Sequence, residues 1–240
     1  MRIDRRPYWY KKAYLRFRYW YTEHFLAPAC DSLGDYHTFM KPWYTSISGP
    51  NIVIGRCATI VSEPSSRVEI GVWGRKDWEG RIEIGDNVLM SPGTRISASD
   101  EIIIGNGVMM AHGVYITDSD WHGIYDRTER SANKTPVHIG NNVWLGDRAT
   151  VLKGVTIGEN SIVAACAVVT RDVPANVVVA GNPAVVVKNL DPEKGFKTRD
   201  DYFADPESLA RFFDGVDKMV LEGNSFWNWL RCLVWPRRGD

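Results

Sequence analysis

One feature constrains this chain more than any other: between Asn51 and Leu190 an aliphatic side chain recurs every six residues. The longest unbroken run is Ile139, Leu145, Val151, Ile157, Val163 and Val169. Four residues past each of these comes a compact side chain: Val143, Ala149, Val155, Ser161, Ala167 and Val173. A step of six walks around every face of a 3.6-residue helix, and an ordinary alternating strand has no reason to keep it. A three-sided coil keeps it naturally. Each hexad supplies one short flat strand and one corner, the long aliphatic points inward, and Gly or Asn provides the turn. Three hexads close one coil, and stacked coils pair as parallel sheets about 4.8 Å apart. The expectation is an all-β, three-sided parallel β-helix.

Earlier segments carry the pattern with changes of phase. Ile54 and Ile60 form one pair, Ile84, Met90 and Ile96 a second set, and Ile104, Met110 and Ile116 a third that is displaced from the second. A change of phase marks an insertion, and in a solenoid an insertion must leave the wall as a loop. The largest is 117–138, TDSDWHGIYDRTERSANKTPVH, and a smaller one surrounds Gly71–Arg81. Three regions follow: an aromatic and basic N-terminal extension (1–50), the β-helix (51–190) with its protruding loop, and a helical C-terminal extension (191–240).

The repeat itself is scaffold, because inward aliphatics catalyse nothing, so function must be read from what hangs on it. Lys and Arg total 29 and Asp and Glu total 29, which gives no overall field that selects a nucleic acid. The four cysteines, Cys30, Cys57, Cys166 and Cys232, have neither metal-ligand nor disulfide-framework spacing and read as reduced thiols of a cytoplasmic protein. Neither a signal peptide nor a membrane-spanning apolar run is visible.

The stretch 135–190 carries IGNNVWLG at 139–146, VTIGENSIVAACAVVTRDVP at 155–174 and AGNPA at 180–184. In these pieces the chain closely resembles the hexapeptide-repeat acyltransferases, in particular the galactoside, maltose and nodulation-type sugar O-acetyltransferases. The resemblance implies a left-handed β-helix, a homotrimer with active sites between neighbours, acetyl-CoA lying along the coils, and a loop histidine as general base. It further implies Asp147, Ala165, Thr170, Arg171 and Lys188 as cofactor-binding residues, with Ala165 and Thr170 along the pantetheine and Arg171 and Lys188 at the phosphates. No metal is expected.

An imidazole suits proton removal at neutral pH, and the chain has only five. His24 and His37 precede the repeat, which leaves His112, His122 and His138. His122 lies in the inserted loop beside Asp118 and Asp120, either of which is placed by sequence to accept its other ring N–H. It is the leading candidate for the base. One departure is plain: the sugar acetyltransferases carry the base in a T-x-x-H step, and counting back from IGNNVW puts Asp120 there, two residues before His122. His112, at an outward position of a hexad, is the second candidate, and His138 is expected to pack beside the loop's return. Trp144 points out of the prism and reads as a subunit-interface anchor as readily as a stacking platform. Cys166 sits in a slot that calls for a small residue and is not expected to be a nucleophile.

The leading reading is direct transfer of an acetyl group to a sugar hydroxyl. Its alternatives are an N-acyltransferase acting on an amino sugar or nucleotide-linked amino sugar, a zinc carbonic anhydrase of the same prism, and a non-catalytic scaffold. Residues 8–27, rich in Tyr, Trp, Lys and Arg, read as a helix that caps the prism, the favoured role, or as an interfacial helix on the inner leaflet. The apolar surface of 225–238 is too short to span a bilayer; it is suited to a neighbouring subunit or to peripheral membrane contact.

Overall fold

Interior positions that recur every six residues bring every third strand onto the same face, and that is the topology of this chain in a computed structural model, which describes residues 4–73, 80–129 and 133–237. The first sheet runs Ser32–Leu33, Ile52–Ile54, Arg81–Ile84, Glu101–Ile104, Val137–Ile139, Thr156–Ile157. The second runs Thr38–Met40, Thr59–Val61, Leu89–Met90, Met109–Met110, Trp144–Leu145, Ile162–Val163, Val177–Ala180 and closes with Val185–Asn189. The third contains Thr45–Ser48, Val68–Val72, Arg95–Ala98, Tyr115–Thr117, Thr150–Val151, Val168–Val169. All neighbours are parallel except the last pair of the second sheet, where Val177–Ala180 and Val185–Asn189 form an antiparallel end. The fold is a left-handed parallel β-helix.

Register stacks like on like inside the tube. Ile84, Ile104, Ile139 and Ile157 are successive partners, as are Met90, Met110, Leu145, Val163 and Val179. Ile70, Ile96, Ile116, Val151 and Val169 make the third ladder. All are buried, and each contributes about 1.5–3 kcal/mol of transfer free energy. The compact residues that follow them, from Val143 to Val173, are buried at the corners as the hexad requires.

At the N-terminal end the wall starts earlier than residue 51. Leu33, Phe39 and Ile47 pair with Ile54, Ile60 and Ile70 of the next coil and so extend the three inward ladders. A π-turn at Thr22–Leu26 and a 3-10 turn at Ala27–Ala29 precede them, and Leu26 joins the core cluster. Closing the prism thus falls to residues 22–29. Near that same end the short helix Arg199–Tyr202 lies on the second and third coils: the Arg199 guanidinium donates to Asn87 O and to Thr59 Oγ1, and Asn87 Nδ2 donates to Asp200. Part of the small insertion near Gly71–Arg81, residues 74–79, lies outside the described residues.

The chain divides into two compact units, Tyr21–Ala204 and a helical unit formed by the described parts of residues 1–20 and 205–240. In the helical unit, helix α1 (Tyr8–Tyr21) meets α3 (Pro206–Val220) and α4 (Phe226–Val234), α2 being the short helix Arg199–Tyr202. Its seams are polar and aromatic: the Tyr8 hydroxyl and Lys12 Nζ both reach Asp214, Lys11 pairs with Asp217, and the Tyr10 and Trp229 rings sit 4.3 Å apart. Among the described residues no helix is long and apolar enough to cross a membrane.

Candidate functional site

Ile104 pairs directly with Ile139, so the chain between Thr117 and Val137 has no place in the wall and leaves it as a loop. His138, placed by sequence at the loop's return, is instead on a strand. The loop's base is a narrow ribbon in which Asp120 N donates to Asn133 O and Thr135 N to Asp118 O. At its tip Gly123 N reaches Glu129 O, and Asp126 caps Thr128. His122 stands on this tip, exposed, with Nδ1 2.9 Å from the Arg127 carbonyl. A carbonyl only accepts, so the tautomer that makes this bond carries its proton on Nδ1 and leaves Nε2 a lone pair.

Neither flanking carboxylate orients that ring. Asp118 is buried and accepts from Ser99 N and Asp100 N at 2.7–3.0 Å, tying the loop's root to the preceding coil. Burial raises its carboxyl above the ordinary range, against the pull of those backbone N–H groups. Asp120 forms an ion pair with Lys153. The place beside His122 Nδ1 read for Asp118 or Asp120 is taken by the Arg127 carbonyl. Sequence offers no signal for such a partner, because a backbone oxygen has no residue type.

The second imidazole stands on a corner. Pro92, His112, Asp147 and Ala165 each follow an inward residue (Met90, Met110, Leu145, Val163) by two, so they stack in one column at the edge between the second and third sheets. Backbone bonds run along that edge from Gly113 N to Pro92 O, from Arg148 N to His112 O and from Cys166 N to Asp147 O. The structure thus brings together His112 and Asp147, which sequence assigned to different tasks. His112 Nδ1 lies 3.4 Å from Asp147 Oδ1, and its Nε2 lies 3.3 Å from Ser66 Oγ. Gly93, on the turn beside the ring, sits at φ +79, a conformation that favours glycine. Thr170, Arg171 and Lys188 are exposed, the first two just past the last strand of the third sheet and Lys188 on the antiparallel end strand. Cys166, read as filling a small-residue slot of the wall, stands at a corner. It is exposed on the corner turn at φ 59, and Ala167 fills the interior.

His138 joins neither group. It lies on the outer face of the first sheet and shares Glu101 with Arg81 at 2.8 and 2.7 Å. Among the described residues no three His, Cys, Asp or Glu side chains converge as a metal site would require.

A groove of about 560 Å³ lies on the outer face of the third sheet, lined by Ser46, Ser48, Glu69, Arg95, Tyr115 and Trp121 among others. Glu69, Arg95 and Tyr115 are cross-strand neighbours, and the Arg95 guanidinium sits 4.0 Å over the Tyr115 ring. Trp121, next to His122, holds its indole in place through Nε1 to Thr117 Oγ1. Sequence reasoning missed this groove, yet its signal was present. Glu69, Arg95 and Tyr115 each come one residue before an inward isoleucine, so they must face outward in one rank.

Residues 136–171 match the family of bacterial transferases with six hexapeptide repeats. Among curated proteins, the "Probable acetyltransferase Rv3034c" of Mycobacterium tuberculosis is 33% identical over 62% of this chain and 58% of its own length. The galactoside O-acetyltransferase of Escherichia coli K12 is 34% identical over 50% and 60% of the two chains. The "Putative lipopolysaccharide biosynthesis O-acetyl transferase WbbJ" of the same organism is 35% identical over 51% and 69%. The chain spans about six-tenths of the length of the first two of these relatives.

Proposed function

This chain belongs to the hexapeptide-repeat acetyltransferase family, and from that premise we propose that it moves an acetyl group from acetyl-CoA to a hydroxyl of a sugar-containing acceptor. The observation that carries the reading is His122: a loop imidazole whose Nδ1 is held by the Arg127 carbonyl, and whose neighbour Trp121 lines a groove of aromatic faces, hydroxyls, a carboxylate and a guanidinium. Aromatic faces with hydroxyl and charged partners suit a sugar ring, which has both apolar C–H faces and a rim of hydroxyls.

In the proposed step His122 Nε2 takes the acceptor's hydroxyl proton as the oxygen attacks the thioester carbonyl. The tetrahedral oxyanion then collapses, and CoA leaves as the thiol with that proton. No acyl-enzyme is required. Holding the two substrates side by side supplies much of the rate, because it turns an encounter of two molecules into a step within one complex. Asp147 and Ala165, neighbours on the corner edge, and the exposed Thr170, Arg171 and Lys188 are the proposed contacts for acetyl-CoA. Cations there suit its phosphates. The working assembly is proposed to be a homotrimer in the cytoplasm, where acetyl-CoA is made available.

Thiol release from acetyl-CoA, measured with a panel of sugars and amino sugars, tests this on wild type, His122→Ala and His112→Ala. Loss of a general base lowers the rate about 10²–10⁴-fold, and that fall is expected for His122→Ala with unchanged thermal stability. Full activity in His122→Ala with loss in His112→Ala moves the base to the corner edge. Turnover confined to amino sugars replaces O-transfer with N-transfer.

A further inference from the structure

The edge between the second and third sheets is crossed in six residues by three coils, from Met90 to Ile96, Met110 to Ile116 and Leu145 to Val151. An earlier coil takes ten, from Ile60 to Ile70. The extra residues have to leave the wall. They fold into a small turn closed by Glu63 N to Ser66 O and Ser66 N to Glu63 O. Gly93 N of the next coil donates to the same Ser66 carbonyl, which lays the turn along the edge and brings the Ser66 hydroxyl to His112.

Three side chains from three different coils line up there. Ser66 Oγ lies 3.3 Å from His112 Nε2, and His112 Nδ1 lies 3.4 Å from Asp147 Oδ1. A carboxylate only accepts, so the tautomer that makes both contacts carries its proton on Nδ1 and turns the Nε2 lone pair to the serine hydroxyl. That is the order of a nucleophile, its base and the group that orients the base, and such contacts are commonly long before a substrate arrives. His138 and His122 lack this order: among the described residues His138 meets a carboxylate but no hydroxyl, and His122 meets a carbonyl. Ser66 is half-buried, and His112 and Asp147 are open to solvent, so the edge has no walls for a long acyl chain and suits a small one.

We propose that Ser66, His112 and Asp147 form a hydrolytic centre that cleaves small activated acyl esters through an acyl-serine. Ser66 Oγ attacks the ester carbonyl carbon while His112 Nε2 takes its proton. The bond to the leaving alcohol breaks, the alcohol departs with that proton, and the acyl group stays on Ser66. Water then attacks the acyl-serine and gives a proton to His112. Ser66 Oγ leaves, takes that proton back, and the acid is released. Ester and water become acid and alcohol, and the chain is unchanged. Asp147 is a positioning residue that holds the ring tautomer. This activity is separate from the proposed acetyl transfer, in which the acceptor's own hydroxyl attacks. Asp147 is also a proposed acetyl-CoA contact, so the test contains no acetyl-CoA.

The test is hydrolysis of p-nitrophenyl acetate by the full chain, read as nitrophenolate release, together with labelling by a fluorescent fluorophosphonate, which reacts with an activated serine hydroxyl and loses fluoride. Peptide mass spectrometry of the labelled wild type is expected to place the adduct on Ser66. Ser66→Ala is expected to lose the adduct and the ester turnover. His112→Ala is expected to slow both about 10²–10⁴-fold. Asp147→Asn is expected to slow labelling about fivefold, the worth of an exposed pair, and Asp147→Glu to recover part of it, which a merely structural role would not do. His122→Ala is expected to label like wild type, so failure of the proposed acetyl transfer leaves this result untouched. Circular dichroism checks the folding of each variant, and the wild-type adduct depends on no variant. A wild type without an adduct on Ser66 overturns the proposal. So does unchanged ester turnover in Ser66→Ala, or unchanged labelling in folded His112→Ala or Asp147→Asn.

Discussion

Two edges of the same prism use one backbone shape for different ends. At the edge between the first and second sheets the left-handed position is filled by Cys57, Asn87, Gly107, Asn142, Asn160 and Asn176 in successive coils. At the edge between the second and third it is filled by Gly93, Gly113, Arg148 and Cys166. The first column closes on itself: Asn142 Nδ2 donates to Asn160 Oδ1, and Asn160 Nδ2 to Asn176 Oδ1, both at 3.0 Å. The second column turns outward and carries His112 and Asp147 beside it. The solenoid thus repeats the turn, while the side chains decide whether an edge is sealed or left open to solvent. Asparagine both tolerates φ > 0 and bonds its own kind, so it makes a structural edge. Glycine, or a long side chain reaching into solvent, leaves room for chemistry.

Asn160→Leu is the strongest way to break that contrast. It removes two side-chain hydrogen bonds and forces a branched side chain into the left-handed region, a combined cost of about 2–3 kcal/mol. A clear drop in melting temperature is expected, with acetyl transfer unchanged at temperatures where the protein is folded. Asn160→Gly keeps the conformation and loses only the bonds, so it should fall by roughly half as much. If Asn160→Leu instead cripples transfer without lowering stability, the sealed edge is part of the site.

Asp147→Asn is the counterpart at the open edge. The His112–Asp147 contact is long, and both side chains are about half exposed, at 46% and 48%. An exposed pair is worth up to about 1 kcal/mol, so at most a fivefold change is expected in kcat/KM for acetyl-CoA. Melting temperature should fall by no more than about 2–4 °C, the most such a pair contributes to stability. A loss of stability like that of Asn160→Leu would show that both edges are structural and erase the distinction.

What the sequence made legible follows the same division. The inward ladders, the compact corner residues and the excursion near 117–138 could all be read from Ile139, Leu145, Val151 and their successors, because a repeating interior imposes a repeating residue type. The first coil was missed because its inward residues Leu33, Phe39 and Ile47, partners of Ile54, Ile60 and Ile70, are six and then eight apart and include an aromatic, which does not look like a member of an aliphatic series. The site was legible only in part. His112, His122 and Asp147 could be named, but not the pairing of His112 with Asp147 across coils. Nor could the Arg127 carbonyl or the buried anchoring of Asp118 be foreseen. Those depend on how an irregular loop folds back, and loops obey no period.

His138 provides the finest comparison, because it too pairs with a carboxylate but on a flat face. Its bond to Glu101, followed by that from Arg81, holds the Glu101 carboxyl below its usual range. A carboxyl depressed in the folded state stabilises the fold above its ordinary pKa near 4.5, and that contribution is lost as the pH falls through the lowered value. Solvent screening at this outer face limits the effect to a few tenths of a kcal/mol. Glu101→Gln is therefore expected to melt slightly below wild type at neutral pH, with the gap closing on acidification past the carboxylate range. Melting curves of both proteins between neutral and acid pH measure it. A gap that stays constant would mean that Glu101 acts by packing rather than by charge. A gap accompanied by lost acetyl transfer would place chemistry on a flat face of the prism, where its loops and edges alone are assigned it.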